Sequence, residues 1–342
     1  MCSDWAYAAW YRFFEGLRRD PPEDMDWSSP AIAYTHTPSN TRYVMRYPCV
    51  GKGQYGCVYA YDAETPPSMD MPCTFCVKFI THDAHAEATA VDALSALVAT
   101  NPAARGFVPA TVLRHADDVA EVAMPLFAGT LCKTMNSSTP AFAAAVVLRL
   151  ATTVDHLWSA GLAYTDIKSS NILYTCTPSG AYMVVLGDLG SIALRRAHDG
   201  TRPTGIFTFP PQRSVHSEEG GDDDGVVQPR EADIVWSLGT LLMAMTLGTD
   251  WIVARITGDA LLGIAQAKGG QLAAAFRAVE EDLEAEADEM RSMNGKAGIK
   301  CANAFAVAMD AWHERRDVRI SSLCRVLRGQ SREDEGSKTC DS

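Results

Sequence analysis

Tyr164-Thr165-Asp166-Ile167-Lys168-Ser169-Ser170-Asn171-Ile172-Leu173 follows an apolar segment, residues 141–157, whose helical periodicity closes near Gly161. The block leaves that helix pattern and enters a short strand-like island at 171–174. An aspartate in such a loop can orient an incoming hydroxyl or accept its proton. Lys168 can neutralise charge on a moving phosphoryl group, and Asn171 can reach a magnesium ion. The plainer reading is a turn in which Asp166 only caps local N–H groups. What decides between the two is whether the rest of a phosphate-handling site is present.

Downstream, the strand-like run 182–186 ends in Leu186-Gly187-Asp188-Leu189-Gly190. A carboxylate at a strand end, followed by a residue that packs and a glycine that bends, suits a hard divalent metal bridging phosphate oxygens. Asp188 is therefore an expected metal ligand, together with Asn171. Upstream, Gly51-Lys52-Gly53-Gln54-Tyr55-Gly56-Cys57-Val58 lies between two strand-like runs rather than between a strand and a helix. Glycines lack a β-carbon, so such a hairpin can lie over phosphate oxygens with its N–H groups turned to them, while Val58 caps a purine. The same glycines also suit an ordinary hairpin turn, and a dinucleotide site would need a helix to follow.

Lys78 sits inside the apolar run 75–80, beside Cys76 and Val77. It either snorkels outward from an edge strand or grips the α- and β-phosphates of a nucleotide. The second role needs a carboxylate to hold the ammonium, because lysine is rarely buried unpaired. Glu87 is the candidate, on a helical patch at 84–98 with an apolar stripe of Val91, Leu94 and Leu97. The separation from Lys78, nine positions, is short for the intended loop and helix turn.

With these four blocks in this order, the chain resembles the eukaryotic-type protein kinase superfamily over residues 43–328. The resemblance implies an α+β, bilobal fold with a small β-rich N-lobe at 43–126 and a larger helical C-lobe at 127–328. A 1–42 extension and a 329–342 tail flank it. ATP and Mg2+ are the implied cofactors. Catalytic roles then fall to Asp166, Lys168 and Lys78. The glycine block (Gly51, Lys52, Gly53, Gln54, Tyr55, Gly56 and Val58), Lys78 and Glu87 hold the nucleotide. Met124-Pro125-Leu126-Phe127 becomes the hinge beside adenine, and Cys76 stands where the family has an adenine-contacting alanine. Asn171 and Asp188 hold the metal.

Several positions depart from the family pattern. Gly205-Ile206-Phe207-Thr208-Phe209-Pro210-Pro211-Gln212 resembles the end of an activation segment with glutamine in place of glutamate, and Arg319 as its hydrogen-bonding partner. Asp233 precedes Trp236-Ser237-Leu238-Gly239 one residue early for the family's central helix, which predicts a helix irregularity or another residue in that role. Tyr164-Thr165 replaces His-Arg, and loss of the arginine that receives an activation-loop phosphate predicts activity without such phosphorylation. Lys168 favours the serine/threonine branch. The resemblance thus implies a serine/threonine protein kinase acting on protein substrates. A pseudokinase serving as a nucleotide-binding or scaffold module is the alternative, and a small-molecule kinase a third reading. The unusual loop, the short Lys78 to Glu87 spacing and abundant alanine are similar to virus-encoded kinases, those of herpesviruses in particular. That placement implies host and viral substrates, in a host nucleus or cytoplasm or in the virion tegument.

Composition is consistent with an ordinary globular chain: 342 residues, 47% hydrophobic and 21% charged. A net charge of −12 argues against nucleic acid as a direct partner, since such proteins gather Lys and Arg on one face. The start lacks a signal-peptide pattern, and Arg149 and Asp155 interrupt the most apolar stretch, which reads as a buried amphipathic helix with no membrane partner. The expected setting is intracellular and soluble. Ten scattered cysteines read as reduced thiols, including the Cys73/Cys76 pair, which lacks a second pair for zinc. Residues 20–29 read as a linker, 217–225 as an exposed acidic loop and 280–300 as a solvated helix face.

Overall fold

The structure is a computed structural model that describes residues 4–20, 29–53, 56–68, 71–82, 84–116, 118–133, 139–176, 182–194, 229–248, 284–285, 287–292, 295–312 and 318–330. Gln54 and Tyr55, most of the linker at 20–29, the segments 205–212 and 217–225, Arg316-Asp317 and the tail from 331 lie outside them. The chain divides into two compact units, Met1–Gly129 with Leu173–Ile192, and Thr130–Ile172 with Ala193–Ser342.

The first unit is β-rich. It comprises α1 (Asp4–Glu15), β1 (Leu17–Arg19), β2 (Ala33–His36), β3 (Thr41–Lys52), β4 (Gly56–Ala63), β5 (Thr74–Ile80), α2 (Ala84–Thr100), β6 (Thr111–Ala116) and β7 (Val119–Pro125). The strands form one antiparallel sheet in the order β1-β2-β3-β4-β5-β7-β6. Thr-Phe-Cys-Val-Lys-Phe-Ile makes β5 because branched and aromatic side chains pack well on a pleated surface. Alternation sends Phe75 and Val77 to one face and Cys76 and Lys78 to the other. Phe75 is fully buried at the centre of an aromatic cluster with Phe13, Phe14, Tyr34, Tyr43 and Tyr61. Each such pair adds about 0.5–1.5 kcal/mol beyond the area it buries.

Residues 1–42, expected as an extension, are built into this unit in their described part. β1 and β2 continue the sheet, and α1 contributes Phe13 and Phe14 to its core. The signal was in the sequence, where Trp10, Phe13 and Phe14 recur at helical spacing. An ion pair fastens the same segment: Arg19 Nη1 lies 3.0 Å from Glu121 Oε1 of β7, whose side chain is 1% exposed.

The apolar run 107–113 is only in part a strand. Only residues from Thr111 join the sheet, because Pro109 has no N–H to give a ladder. Gly106 and Val108 instead bond to Leu186, the last residue of β9 (Tyr182–Leu186). β9 pairs with β8 (Ile172–Cys176), and Ala128 N–H donates to Tyr174 O at 3.0 Å. Leu173–Ile192 therefore clusters with the first unit, although its sequence position suggested the helical half.

The second unit is helical: α3 (Pro140–Ser159), α4 (Glu231–Leu247), α5 (Lys296–Trp312) and α6 (Ile320–Arg328). Thr139 caps α3, its Oγ1 accepting from Phe142 N at 3.2 Å, and Pro140 occupies the first turn where no N–H is needed. By length and apolarity α3 could cross a membrane, but here Val147, Leu150, Val154 and Leu157 are buried against the other helices of the unit. Gly239 of α4 lets α5 approach so closely that a β-carbon there would lie 2.1 Å from Ala308 Cβ.

One expectation for this unit is corrected. α4 runs without irregularity, and Asp233 serves at its start, Oδ2 accepting the Arg230 N–H at 2.7 Å. One position earlier than the family's, this carboxylate reaches the N-terminal N–H groups of its own helix. Arg319 pairs with Glu231 at 3.0 Å, and the other oxygen of Glu231 accepts from Ile320 N at 2.9 Å at the start of α6; Gln212, the expected partner of Arg319, lies outside the described residues. The mixed α+β composition, β-rich first and helical second, is compatible with a kinase-like fold.

Candidate active site

Strand register brings the expected nucleotide-binding residues of the sheet onto one face. Gly51 pairs with Val58, Val58 with Lys78, and Lys78 with Val122. Two residues along, Ala60, Cys76 and Met124 stand opposite one another. Directly opposed residues share a face, so Val58, Cys76, Lys78 and Met124 look the same way, opposite the aromatic core.

Lys78 is held from two sides. Its Nζ donates to Glu87 Oε1 and Oε2 at 2.8 and 2.7 Å and to Asp188 Oδ1 at 2.9 Å. The nine-residue spacing suffices because α2 begins at Ala84, which puts Glu87 in its first turn. There the helix dipole also favours a negative charge. Burial alone would lower the Lys78 pKa, but attraction to Glu87 and then Asp188 outweighs it and moves the ammonium above its ordinary 10.5. Burial pushes the Glu87 carboxyl above its ordinary 4.5, with Lys78 pulling back only in part. The two shifts share a direction because Lys78 is drawn to two carboxylates, whereas buried Glu87 has one cation beside it and is repelled by Asp188.

Asp188 arrives at the end of β9, where the bonds from Gly106 and Val108 to Leu186 pin the strand. Its backbone is left-handed, φ 47° and ψ 67°, a conformation that costs a non-glycine residue about 1 kcal/mol or more and persists only when its surroundings enforce it. Its side chain is 39% exposed and so open to a cation from solvent. Among the described residues no three His, Cys, Asp or Glu side chains gather to form a complete metal cage. Magnesium fits such a donor set, since it binds through one or two carboxylates, waters and substrate phosphates.

In the second unit, Tyr164, Thr165 and Asp166 are buried. Lys168 Nζ lies 2.6 Å from Asp166 Oδ2, and Asn171 Nδ2 donates to the same oxygen at 2.8 Å and to the Asp166 carbonyl at 3.0 Å. The loop is thus a small network centred on one carboxylate. The Asn171 amide nitrogen is engaged there, which leaves its oxygen as the atom able to meet a cation.

The glycine block divides into unequal parts. A β-carbon at Gly56 would lie 2.1 Å from Phe79 O, whereas among the described residues one at Gly51 would meet Val58 at an ordinary 3.6 Å and one at Gly53 would meet Gly56 O at 3.9 Å. Gly56 is needed for strand packing. At the expected hinge, Cys76 Sγ donates to Met124 O and Pro125 O at 3.5 and 3.4 Å. Burial pushes this thiol up to about 12, so it stays protonated. Leu126 is exposed and Phe127 half-buried. Sequence reasoning missed the Gly106 to Val108 clamp on Leu186, whose one local signal is Pro109. It also missed the direct bond from Lys78 to Asp188.

No protein-family model matches the chain. Over 56 residues, 16% of its length, it is 41% identical to the human serine/threonine-protein kinase PINK1, mitochondrial. The chain spans about a tenth of the length of that curated relative, the match covering 10% of it. This local likeness supports a protein kinase-like relationship.

Proposed function

We propose that the chain is a protein kinase that transfers the γ-phosphate of Mg-ATP to serine or threonine hydroxyls of protein substrates. The observation that carries the reading is Lys78, charged and clasped by Glu87 and Asp188, on the sheet face that also presents Val58, Cys76 and Met124. An ammonium fixed from two sides is a rigid counter-charge for phosphate oxygens, and rigidity is what gives such contacts catalytic value. Asp166, held by Lys168 and Asn171, orients the hydroxyl and takes its proton. The hydroxyl oxygen bonds to the γ-phosphorus as the bond to the bridging β,γ-oxygen breaks and ADP departs. On the first unit Asp188 would hold Mg2+, which supplies neutralisation of phosphate charge.

The serine/threonine branch rests on Lys168 and on the likeness to a kinase with that specificity in its name. Thr165 in place of an arginine supports activity without activation-loop phosphorylation. The herpesvirus placement, with its host and viral substrates, rests on sequence departures alone, and a match to a human kinase lends it no weight. An intracellular, soluble setting belongs to the same reading.

The test is phosphate incorporation into a protein panel from radiolabelled ATP by wild type, Lys78→Met and Asp166→Asn. Incorporation by wild type and its loss in both variants is expected, and equal incorporation by all three refutes the reading. The double variant should fall no lower than either single one, because groups acting in one step are not additive. Nucleotide binding without turnover would leave the pseudokinase.

A further inference from the structure

The members of the Lys78 to Glu87 pair stand on different elements, so whatever fixes α2 against β5 fixes the pair. One helix touches both. From α1, Phe13 and Phe14 lie against Phe75 of β5, three residues before Lys78, with ring centroids 5.5 and 6.4 Å apart. From the same helix, Tyr7 is buried in a separate cluster with Val98 of α2 and Ala104, with Tyr11 and Leu97 packed against it. The Tyr11 phenol lies beside Ser95 of α2, whose hydroxyl donates to the Ala110 carbonyl at 3.5 Å. Ser95 lies about 12 Å along the α2 axis from Glu87, at 1.5 Å per residue. A helix held at that distance transmits a displacement of its far end to its first turn as a rigid body.

We infer that α1 is a positioning element for the Lys78–Glu87 ion pair, with Tyr7 and Tyr11 the residues that couple it to α2. The inference rests on the kinase reading for what the pair does, but the coupling itself is independent of it. Removing the contacts on the α2 side leaves β5 and its aromatic core intact while freeing α2 to shift. Lys78 then spends time without Glu87.

The experiment uses the full chain as wild type, Tyr7→Ala and Tyr11→Phe. Three quantities are read: acylation of Lys78 by acetic anhydride, followed by peptide mass spectrometry; hydrogen exchange of α2 amides; and KM for ATP and kcat. Tyr7→Ala should raise Lys78 acylation and KM roughly fivefold, the lower end of typical couplings between sites, with kcat within about twofold of wild type. Tyr11→Phe should shift both in the same direction by less. Faster α2 exchange with unchanged Lys78 acylation overturns the inference, since α1 would then serve stability alone. If Tyr7→Ala does not fold, Tyr11→Phe, which removes one hydroxyl, decides by the same acylation measurement. If wild type transfers no phosphate, the kinase reading fails while the acylation result still decides the coupling.

Discussion

Lys78→Met should destabilise the protein in a strongly pH-dependent way. The ammonium donates to both Glu87 oxygens and to Asp188, and Glu87 is 6% exposed. Without it, a buried carboxylate faces a second carboxylate, and Glu87 escapes by taking up a proton. Its ordinary value is 4.5, so protonation at pH 7.5 costs at most about 4 kcal/mol, at about 1.4 kcal/mol for each pH unit. At pH 5.5 the same step costs at most about 1.4 kcal/mol. The folded variant binds a proton that its unfolded chain does not, so its stability falls as pH rises above 4.5. Wild type shows the same sign more weakly, because Lys78 holds back the rise of the Glu87 pKa. Burial of the methionine returns about 1 kcal/mol. The net deficit relative to wild type is then about 3 kcal/mol at pH 7.5, within the range for breaking buried pairs, and under about 1 kcal/mol at pH 5.5. Urea unfolding followed by near-ultraviolet circular dichroism at the two pH values measures it. A deficit of equal size at both would refute the argument. Glu87→Gln removes the more burdened charge and leaves Lys78 with Asp188, so it should stay within about 1 kcal/mol of wild type while phosphate transfer drops.

Gly56→Ala should destabilise by about 2 kcal/mol or more, from overlap with a backbone carbonyl, while Gly53→Ala should stay within about 0.5 kcal/mol; equal midpoints in denaturant would contradict the contrast. Arg19→Met should lose about 3 kcal/mol by stranding the buried Glu121, and Arg19→Met/Glu121→Met should recover most of it; a double variant no better than the single one would show that the charge is not the cause. Phosphatase-treated enzyme should keep its rate, as Thr165 implies, and a tenfold drop in phosphate incorporation would count against that.

Motifs with short internal spacing were legible because their geometry is local. Asp166, Lys168 and Asn171 lie within one loop, and the structure joins them around one carboxylate. Strands β4, β5 and β7, the helical patch behind Glu87 and the capped helix α3 follow from periodicities of two and 3.6 that a linear reading can count. The one-residue offset of Asp233 was visible, but its outcome was not, because a helix start competes for the same carboxylate.

By itself the sequence determined which side chains share a local motif and which faces each element would bury, since both depend on neighbours a few positions away. Tertiary structure alone decided that Asp188 bonds to Lys78 across 110 positions, that Arg19 meets Glu121 across 102, and that α1 packs on Phe75 rather than trailing ahead of the fold. Contacts of that reach depend on how whole elements pack, and packing is set by shape and burial summed over the unit, which no local pattern encodes.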